Sequence, residues 1–156
     1  MKRLDLTSVE PVGGNHSFDH LTVSGNTYFS SRIGSEDQIE FIKDLNIALV
    51  IDLKNTGESD FDEKSKLEEL GIGYQSFSIS NLEDLDFLDV RRFGDIFEEH
   101  SGSILITCMS GNRVGGIMAL YAYLICGHAK ERSLKFGKDV GMTKESIIES
   151  VNKILL

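Results

Sequence analysis

A cysteine and an arginine lie close together at one point of the sequence. Cys108 follows the β-branched run 103–107, and Gly111 and Arg113 come shortly after it. A tight loop between a strand and a helix can direct its backbone N–H groups inward, and the helix start adds free N–H groups and a positive dipole end. Such a loop binds a tetrahedral oxyanion, with Gly111 permitting the turn and Arg113 gripping two oxygens of a phosphate or sulfate. We therefore expect Cys108 to be a thiolate nucleophile that faces a bound oxyanion.

A buried structural thiol is the alternative for any cysteine, because cysteine is among the most buried residue types. The context favours a nucleophile at Cys108, since ligands of open α/β sheets bind beyond the carboxyl ends of the strands. Cys126 lies in the apolar run that follows, with no arginine beside it, and is predicted to be a packing residue. Two cysteines are too few for a disulfide framework, so both are expected to be reduced thiols.

The segments around this loop alternate between strand and helix patterns. Strands are predicted over residues 27–31, 47–53, 74–79 and 103–107, and helices over 35–46, 62–70, 87–100, 114–125, 130–140 and 144–155. Thr143 is the expected N-cap of the last helix. The alternation predicts an α/β fold, a mostly parallel central sheet flanked by helices on both faces. We expect one domain over residues 1–156, in which residues 1–20 form an irregular N-terminal segment.

The overall charge limits the partners of the protein. Its 16 basic and 25 acidic residues give a net charge of −9, which opposes binding to nucleic acid or to an anionic membrane. The start lacks the apolar block of a signal peptide, so a cytoplasmic location is expected. His16 and His20 have a ligand-like spacing without further ligands nearby, and we expect two surface loop histidines and no metal. The sequence leaves the oligomeric state open.

Three stretches of the sequence carry a family resemblance. They are the run ILITCMSGNRVGGIMALYAYLICG around Cys108, the opening segment TYFSSRIGSEDQIEFIKDLNIALVIDLKNTGE and the closing segment GHAKERSLKFGKDVGMTKESIIESVNKIL. They resemble the signature, the opening elements and the closing elements of the bacterial beta-lactamase-hydrolase-like, phosphatase-like family. This family is a branch of the cysteine-dependent tyrosine and dual-specificity phosphatase superfamily. The resemblance covers about residues 20–155 and implies a cysteine-phosphatase-like fold that hydrolyses a phosphorylated protein or small molecule without a cofactor.

Carried over to this sequence, the resemblance implies that Cys108 attacks phosphorus and forms a phosphocysteine, which water then hydrolyses. The phosphate oxygens would be held by the arginine side chain and by the loop amides, which are those of Met109, Ser110, Gly111, Asn112 and Arg113. Catalysis of this kind is mainly positioning and charge stabilisation, so no metal is expected.

A phosphatase also needs an acid that protonates the leaving oxygen, and in the superfamily this is often an aspartate on the loop after the preceding strand. Here that loop is SISNLEDLDFLD, in which Asn81 stands near the aligned position. Asp84 is the predicted acid, and Glu83 and Asp86 are the alternatives. All three could instead start and cap a helix.

A second loop, KNTGESD, is expected at the same edge of the sheet. Lys54 could assist the anion there, and Glu58 or Asp60 could be a further acid. Solvated loop charges are the alternative explanation for all three residues.

The loop around Cys108 departs from the broader superfamily pattern, His-Cys-x-x-Gly-x-x-Arg followed by Ser or Thr. Thr107 precedes the cysteine, the spacing to Arg113 is one residue shorter, and Val114 follows the arginine. The short spacing also occurs in rhodanese-like sulfurtransferases, whose cysteine carries a persulfide. A sulfurtransferase and a non-catalytic anion-binding module are therefore the alternatives to a phosphatase. The missing hydroxyl, which elsewhere stabilises the leaving thiolate, predicts slow turnover.

Overall fold

A six-stranded sheet forms the centre of the protein, and the computed structural model describes residues 5–155. The strands are β1 (Glu10–Pro11), β2 (Leu21–Ser24), β3 (Thr27–Ser30), β4 (Ile47–Asp52), β5 (Gly73–Ser76) and β6 (Ser103–Thr107). The helices are α1 (Glu36–Asp44), α2 (Glu63–Glu69), α3 (Phe87–Glu99), α4 (Asn112–Leu124), α5 (Lys130–Asp139) and α6 (Glu145–Ile154), with a 3₁₀ turn at Leu82–Asp84. The strands are ordered β1-β2-β3-β6-β4-β5 across the sheet.

The strands β3, β6, β4 and β5 run parallel and correspond to the four strands predicted from the sequence. The predicted mostly parallel sheet is thereby confirmed. β1 and β2 add an antiparallel extension beside β3, so the segment predicted to be irregular contributes a strand. Only Gly25 and Asn26 separate β2 from β3, and Gly25 has a positive φ of 60°. A two-residue Gly-Asn loop is the signal that could have predicted this hairpin.

Side chains of β6 alternate between the two faces of the sheet. Ile104 and Ile106 belong to one apolar core, together with residues of α3, α4, α5 and α6. Leu105 belongs to a second core with residues of α1 and α2. Because side chains alternate along a strand, a strand buried on both faces needs an unbroken apolar sequence, as the stretch 104–106 provides. Helices therefore cover both faces of the sheet, as predicted.

Helix α4 is buried on nearly all sides, as its apolar sequence predicts. Its glycines allow other segments to approach closely. A Cβ added at Gly115 would collide with the Gly137 carbonyl oxygen and the Met142 nitrogen, and one added at Gly116 would collide with the Leu82 side chain. These contacts fix α4, and the loop at its N-terminus, against α5 and the 3₁₀ turn. Within residues 5–155, neither α4 nor any other helix is long and apolar enough to cross a membrane.

Two predicted boundaries differ from the structure. β5 ends at Ser76, earlier than predicted, although the N–H groups of Phe77 and Ile79 still donate to the Asp52 and Leu53 carbonyls at 2.9 and 3.0 Å. Lys144, and not Thr143, is the N-cap of α6, and it makes no capping hydrogen bond through its side chain. Thr143 instead donates its backbone N–H to the Asn112 side chain. The tertiary partner therefore replaces the local cap that the sequence predicted.

Cys126 is exposed, which corrects the prediction that it packs in the core. α4 ends at Leu124, and Gly127 follows with a positive φ of 74°. The N–H of His128 then reaches back to the Ala122 carbonyl at 3.0 Å, and the left-handed glycine turns the chain away from the helix. The last turn thus leaves the core before the apolar sequence ends.

Gly115→Ala should destabilise the protein by about 2 kcal/mol. The new methyl group overpacks against backbone atoms of Gly137 and Met142, which costs about 3 kcal/mol and is partly offset by about 1 kcal/mol of helix propensity. Gly13→Ala is the matched control, because a Cβ there meets no atom within 4 Å. Urea unfolding measures both variants. Equal stability of the two would contradict the close approach of α4 and α5.

Candidate active site

Cys108 lies directly after β6, and its side chain is fully buried. Its N–H donates to the Ser30 carbonyl at 3.4 Å, which continues the pairing with β3. The N–H of Gly111 donates to the Cys108 Sγ at 3.2 Å. Gly111 has a positive φ of 96°, a conformation that favours glycine. The loop therefore turns back on itself and directs an amide at the sulfur.

The loop also provides hydrogen-bond donors for an anion. Within residues 5–155, the backbone N–H groups of Met109 and Ser110 have no hydrogen-bond acceptor. The N–H of Asn112, where α4 begins, donates only weakly to the Ser110 Oγ at 3.3 Å. The positive end of the α4 dipole lies at the same place. The five residues predicted to bind phosphate thus form one loop, in which the Met109 and Ser110 amides have no acceptor within residues 5–155.

A bidentate ion pair fixes the Arg113 side chain. Its Nη1 donates to Glu58 Oε1 at 2.7 Å and to the Ile79 carbonyl at 3.1 Å, and its Nη2 donates to Glu58 Oε2 at 2.6 Å. These contacts use three of the five N–H bonds of an arginine. The other two, on Nε and Nη2, meet no acceptor within the described part of the chain. They share one edge of the guanidinium, so Arg113 keeps a two-donor fork for an oxyanion.

The same ion pair decides what Glu58 can do. The hydrogen bonds from Arg113 lower the pKa of Glu58 to about 2, and hydrogen bonds from Asn55 contribute to this shift. A carboxylate with so low a pKa is ionised at neutral pH and holds no proton to donate. Glu58 was one of the predicted acids, but the structure makes it the residue that orients Arg113.

Asn55 links the three segments that meet at the arginine. Its N–H and Nδ2 donate to Glu58 Oε1 at 2.9 and 3.0 Å, and Nδ2 also lies 3.3 Å from the Ile79 carbonyl. Arg113 bonds to the same carboxylate and the same carbonyl. The segments after β4 and β5 and the first turn of α4 are thus joined by one network.

The Asn112 side chain ties the loop to the connection between α5 and α6. Its Oδ1 accepts the N–H groups of Thr143 and Lys144, both at 2.8 Å, and its Nδ2 donates to the Ser110 Oγ at 3.1 Å. The sequence assigned only the backbone amide of Asn112 to the site. The side-chain role could not be found from local patterns, because Thr143 lies 31 residues further along the chain.

His20 contacts the loop as well, which corrects its prediction as a surface loop histidine. Its Nε2 donates to the Val140 carbonyl at 2.9 Å, its ring lies beside Gly111, and burial lowers its pKa. His16 is half-buried too, with its ring edge against Phe41. No cluster of three or more metal-ligating side chains exists among residues 5–155.

The acidic loop after β5 contains three further candidates for the general acid, Glu83, Asp84 and Asp86. Glu83 Oε1 accepts the Ser150 hydroxyl at 3.0 Å. Asp86 caps α3 by accepting the Asp89 N–H at 2.8 Å, so the capping alternative holds for this residue. Asp84 is exposed, and its carboxylate has no hydrogen-bond or ion-pair partner within residues 5–155. Of the three, Asp84 is the carboxylate free to act.

Of the three charged residues considered in the loop after β4, Asp60 alone is exposed to solvent. Lys54 is buried and pairs with Asp52 and Glu63 at 3.0 and 2.8 Å, which corrects both predictions for this lysine. Asp60 is exposed and lines a cleft of about 530 Å³ together with Arg32. Lys54 is therefore occupied by its own ion pairs, whereas Arg113 keeps two donors without an acceptor within residues 5–155.

Glu58→Gln should weaken binding of inorganic phosphate about 10-fold, because an amide cannot accept both Arg113 donors and the fork rotates. The exposed Asp60→Asn is the matched control, since it removes the same charge from the same segment without contacting Arg113. Protection of Cys108 from iodoacetamide by phosphate measures the affinity of each variant. Equal protection in the two variants would contradict the orienting role of Glu58.

Comparison with known proteins identifies the fold. No family model and no curated protein matches the sequence. Among solved structures, P. aeruginosa TpbA in complex with phosphotyrosine is 18% identical, with a TM-score of 0.66 over 85% of this chain and 80% of that chain. Tk-PTP in its active form is 19% identical (TM-score 0.64, 84% and 91% covered), and PTPMT1 in complex with PI(5)P is 12% identical (TM-score 0.63, 83% and 89% covered). The fold predicted from the resemblance is thereby confirmed, whereas the narrower bacterial branch stays a prediction. The chain has the α/β fold of the protein tyrosine phosphatase-like structures.

Proposed function

We propose that the protein is a cysteine-dependent phosphatase of the tyrosine or dual-specificity type, which hydrolyses phosphate monoesters. The observation that supports this most strongly is one arrangement of donors around one sulfur. The Cys108 Sγ accepts one N–H from its loop, and within residues 5–155 the Met109 and Ser110 amides of that loop and two donors of the Glu58-bound Arg113 have no acceptor. This arrangement matches the charge of a phosphoryl group in transfer.

In the proposed reaction, the Cys108 thiolate attacks phosphorus while the bond from phosphorus to the leaving oxygen breaks. A general acid gives its proton to that oxygen, and the loop amides and Arg113 hold the other phosphoryl oxygens. Water then attacks the phosphocysteine, the S–P bond breaks, and phosphate and the thiolate are released. The Gly111 N–H, which donates to Sγ, stabilises the departing sulfur in place of the hydroxyl that Val114 lacks.

Asp84 is the proposed general acid. The 3₁₀ turn that carries it is docked against α4, because the Leu82 side chain fills the space that Gly116 leaves open. This contact holds the acidic loop beside the helix that begins at the anion site. The other two carboxylates of the loop bind Ser150 and the α3 N-terminus, which supports the choice of Asp84.

The proposed substrate is a phosphate monoester on a protein or a small molecule. The TpbA structure holds phosphotyrosine and the PTPMT1 structure holds PI(5)P, and both ligands carry this group. The net charge of −9 opposes a nucleic acid substrate. A nucleophilic Cys108 must stay reduced, which supports a cytoplasmic location.

Cys108→Ser should lower kcat for p-nitrophenyl phosphate at least ~10³-fold, because the variant cannot form the phosphocysteine. Cys126→Ser is the control and should keep wild-type turnover, since Cys126 is exposed and outside the loop. Phosphate release measures all three proteins. Equal rates for wild type and Cys108→Ser would overturn the proposal. Thiocyanate formation from thiosulfate and cyanide, without phosphate release, would identify a sulfurtransferase instead.

Asp84→Asn should lower kcat by ~10²-fold or more for phenyl phosphate, whose leaving group needs a proton, and far less for p-nitrophenyl phosphate. Glu83→Gln is the control in the same turn and should change neither rate. The ratio of the two substrate rates is the measurement. A ratio that stays at the wild-type value in Asp84→Asn would assign the acid elsewhere.

A further inference from the structure

Lys54 lies buried between two carboxylates at the base of the segment that carries Glu58. Its Nζ bonds to Asp52 Oδ1 at 3.0 Å and to Glu63 Oε1 at 2.8 Å, and these side chains are only 4–5% exposed. The Tyr74 hydroxyl donates to the other oxygen of Asp52 at 2.5 Å. We call Asp52, Lys54, Glu63 and Tyr74 the basal cluster.

The basal cluster joins the two ends of the segment that carries Glu58, and we call this junction the neck. Asp52 is the last residue of β4 and Glu63 is the first of α2, so Lys54 joins the point where the segment leaves the sheet to the point where it enters the helix. Between these points lies Glu58, which holds Arg113. The neck is therefore one restraint on Arg113 that acts through Glu58, in addition to the hydrogen bonds of Asn55 and Ile79.

Stability alone does not account for the cluster. A buried ion pair often contributes no more stability than apolar residues of the same size. Moreover, within residues 5–155 the Glu63 Oε2 is buried without a hydrogen-bond partner, which is unfavourable for an ionised carboxylate. Burial and the neighbouring Asp52 raise the pKa of Glu63 to about 8. At neutral pH the Asp52–Glu63 carboxyl pair therefore shares one proton, and the Lys54 ammonium is balanced by one carboxylate.

We propose that Lys54 and Glu63 are positioning residues for Arg113, and that a proton on Glu63 keeps the neck of the Glu58 segment closed. The proposal rests on the proposed function only through the anion site. The groups that face Glu63 are Asp52 on β4, Lys54 after it and Tyr74 on β5. When Glu63 loses its proton, it repels Asp52 across the buried lysine. This repulsion is relieved by moving the start of α2 away from β4, where a cavity of about 340 Å³ gives water access.

The direction of the pH effect follows from the raised pKa. Below about pH 8, Glu63 is protonated and the neck is closed; above it, the second carboxylate is charged and the neck opens. Arg113 then loses its fixed orientation and the site loses anion affinity. This loss is independent of the chemistry at Cys108.

Sulfate affinity of the full chain in a Cys108→Ser background tests the proposal, because sulfate does not titrate in this range and the thiol is absent. Isothermal titration calorimetry between pH 6.5 and 9.5 should show about a 10-fold loss of affinity, a coupling of ordinary size. Adding Glu63→Gln, which imitates the protonated acid, should keep the neutral-pH affinity throughout. Adding Glu69→Gln, an exposed change on the same helix, should leave the loss in place.

Tyr74→Phe gives a second, independent readout. It removes a donor to Asp52, so the Asp52–Glu63 pair holds its proton more tightly and the loss should shift to higher pH. Sulfate binding that is independent of pH in the Cys108→Ser protein, or that falls equally when Glu63→Gln is added, would contradict the proposed role of the neck but not the anion site. Absence of sulfate binding at every pH would overturn the anion site itself. Failure of phosphate ester turnover, with the sulfate results as expected, would overturn only the proposed function.

Discussion

The parallel pairing of β6 with β3 and β4 is the constraint on which the rest of the structure depends. Thr107 is paired with Ser30 on one side and with Asp52 on the other, so the three strands end in line. Residues that follow parallel strands meet at one edge of the sheet. Cys108 therefore emerges beside the start of the Glu58 segment, and one strand register brings the sulfur and the arginine's partner together although 50 residues separate them in sequence.

Attraction of an anion to the site depends on the orientation of hydrogen-bond donors more than on net charge. Glu58 compensates the charge of Arg113, so the ion pair orients the arginine donors but adds little net positive potential. In a protein with a net charge of −9, the attraction of an anion then comes from short-range amide dipoles and the helix terminus. Long-range repulsion is screened within about 8 Å at physiological salt. Such an arrangement of donors suits the proposed single phosphoryl group better than an extended polyanion.

The sequence predicted those parts of the fold that local patterns determine, and it missed the parts that depend on distant partners. The buried run at 104–106 and the glycine after Cys108 give local signals, so the strand, the loop and the apolar helix were all predictable. Asn112 and His20 were assigned without their side-chain partners, because Thr143 and Val140 become neighbours only in the folded chain. Lys54 was predicted either to assist the anion or to lie in solvent for the same reason, since nothing in the local sequence shows that Glu63 lies beside it in the folded chain.

The two sides of the loop are held by different kinds of interaction, and this difference has a mechanical consequence. The nucleophile side is fixed by strand pairing, by the glycine contacts of α4 and by the neutral Asn112 side chain, none of which changes charge near neutral pH. The arginine side is fixed by ionised groups, from Glu58 back to Lys54. Under the proposed role of Lys54 and Glu63, a change in charge therefore displaces the Arg113 side chain before it displaces the Cys108 sulfur. Anion affinity can then fall while Cys108 stays in place, because the two residues are held by different interactions.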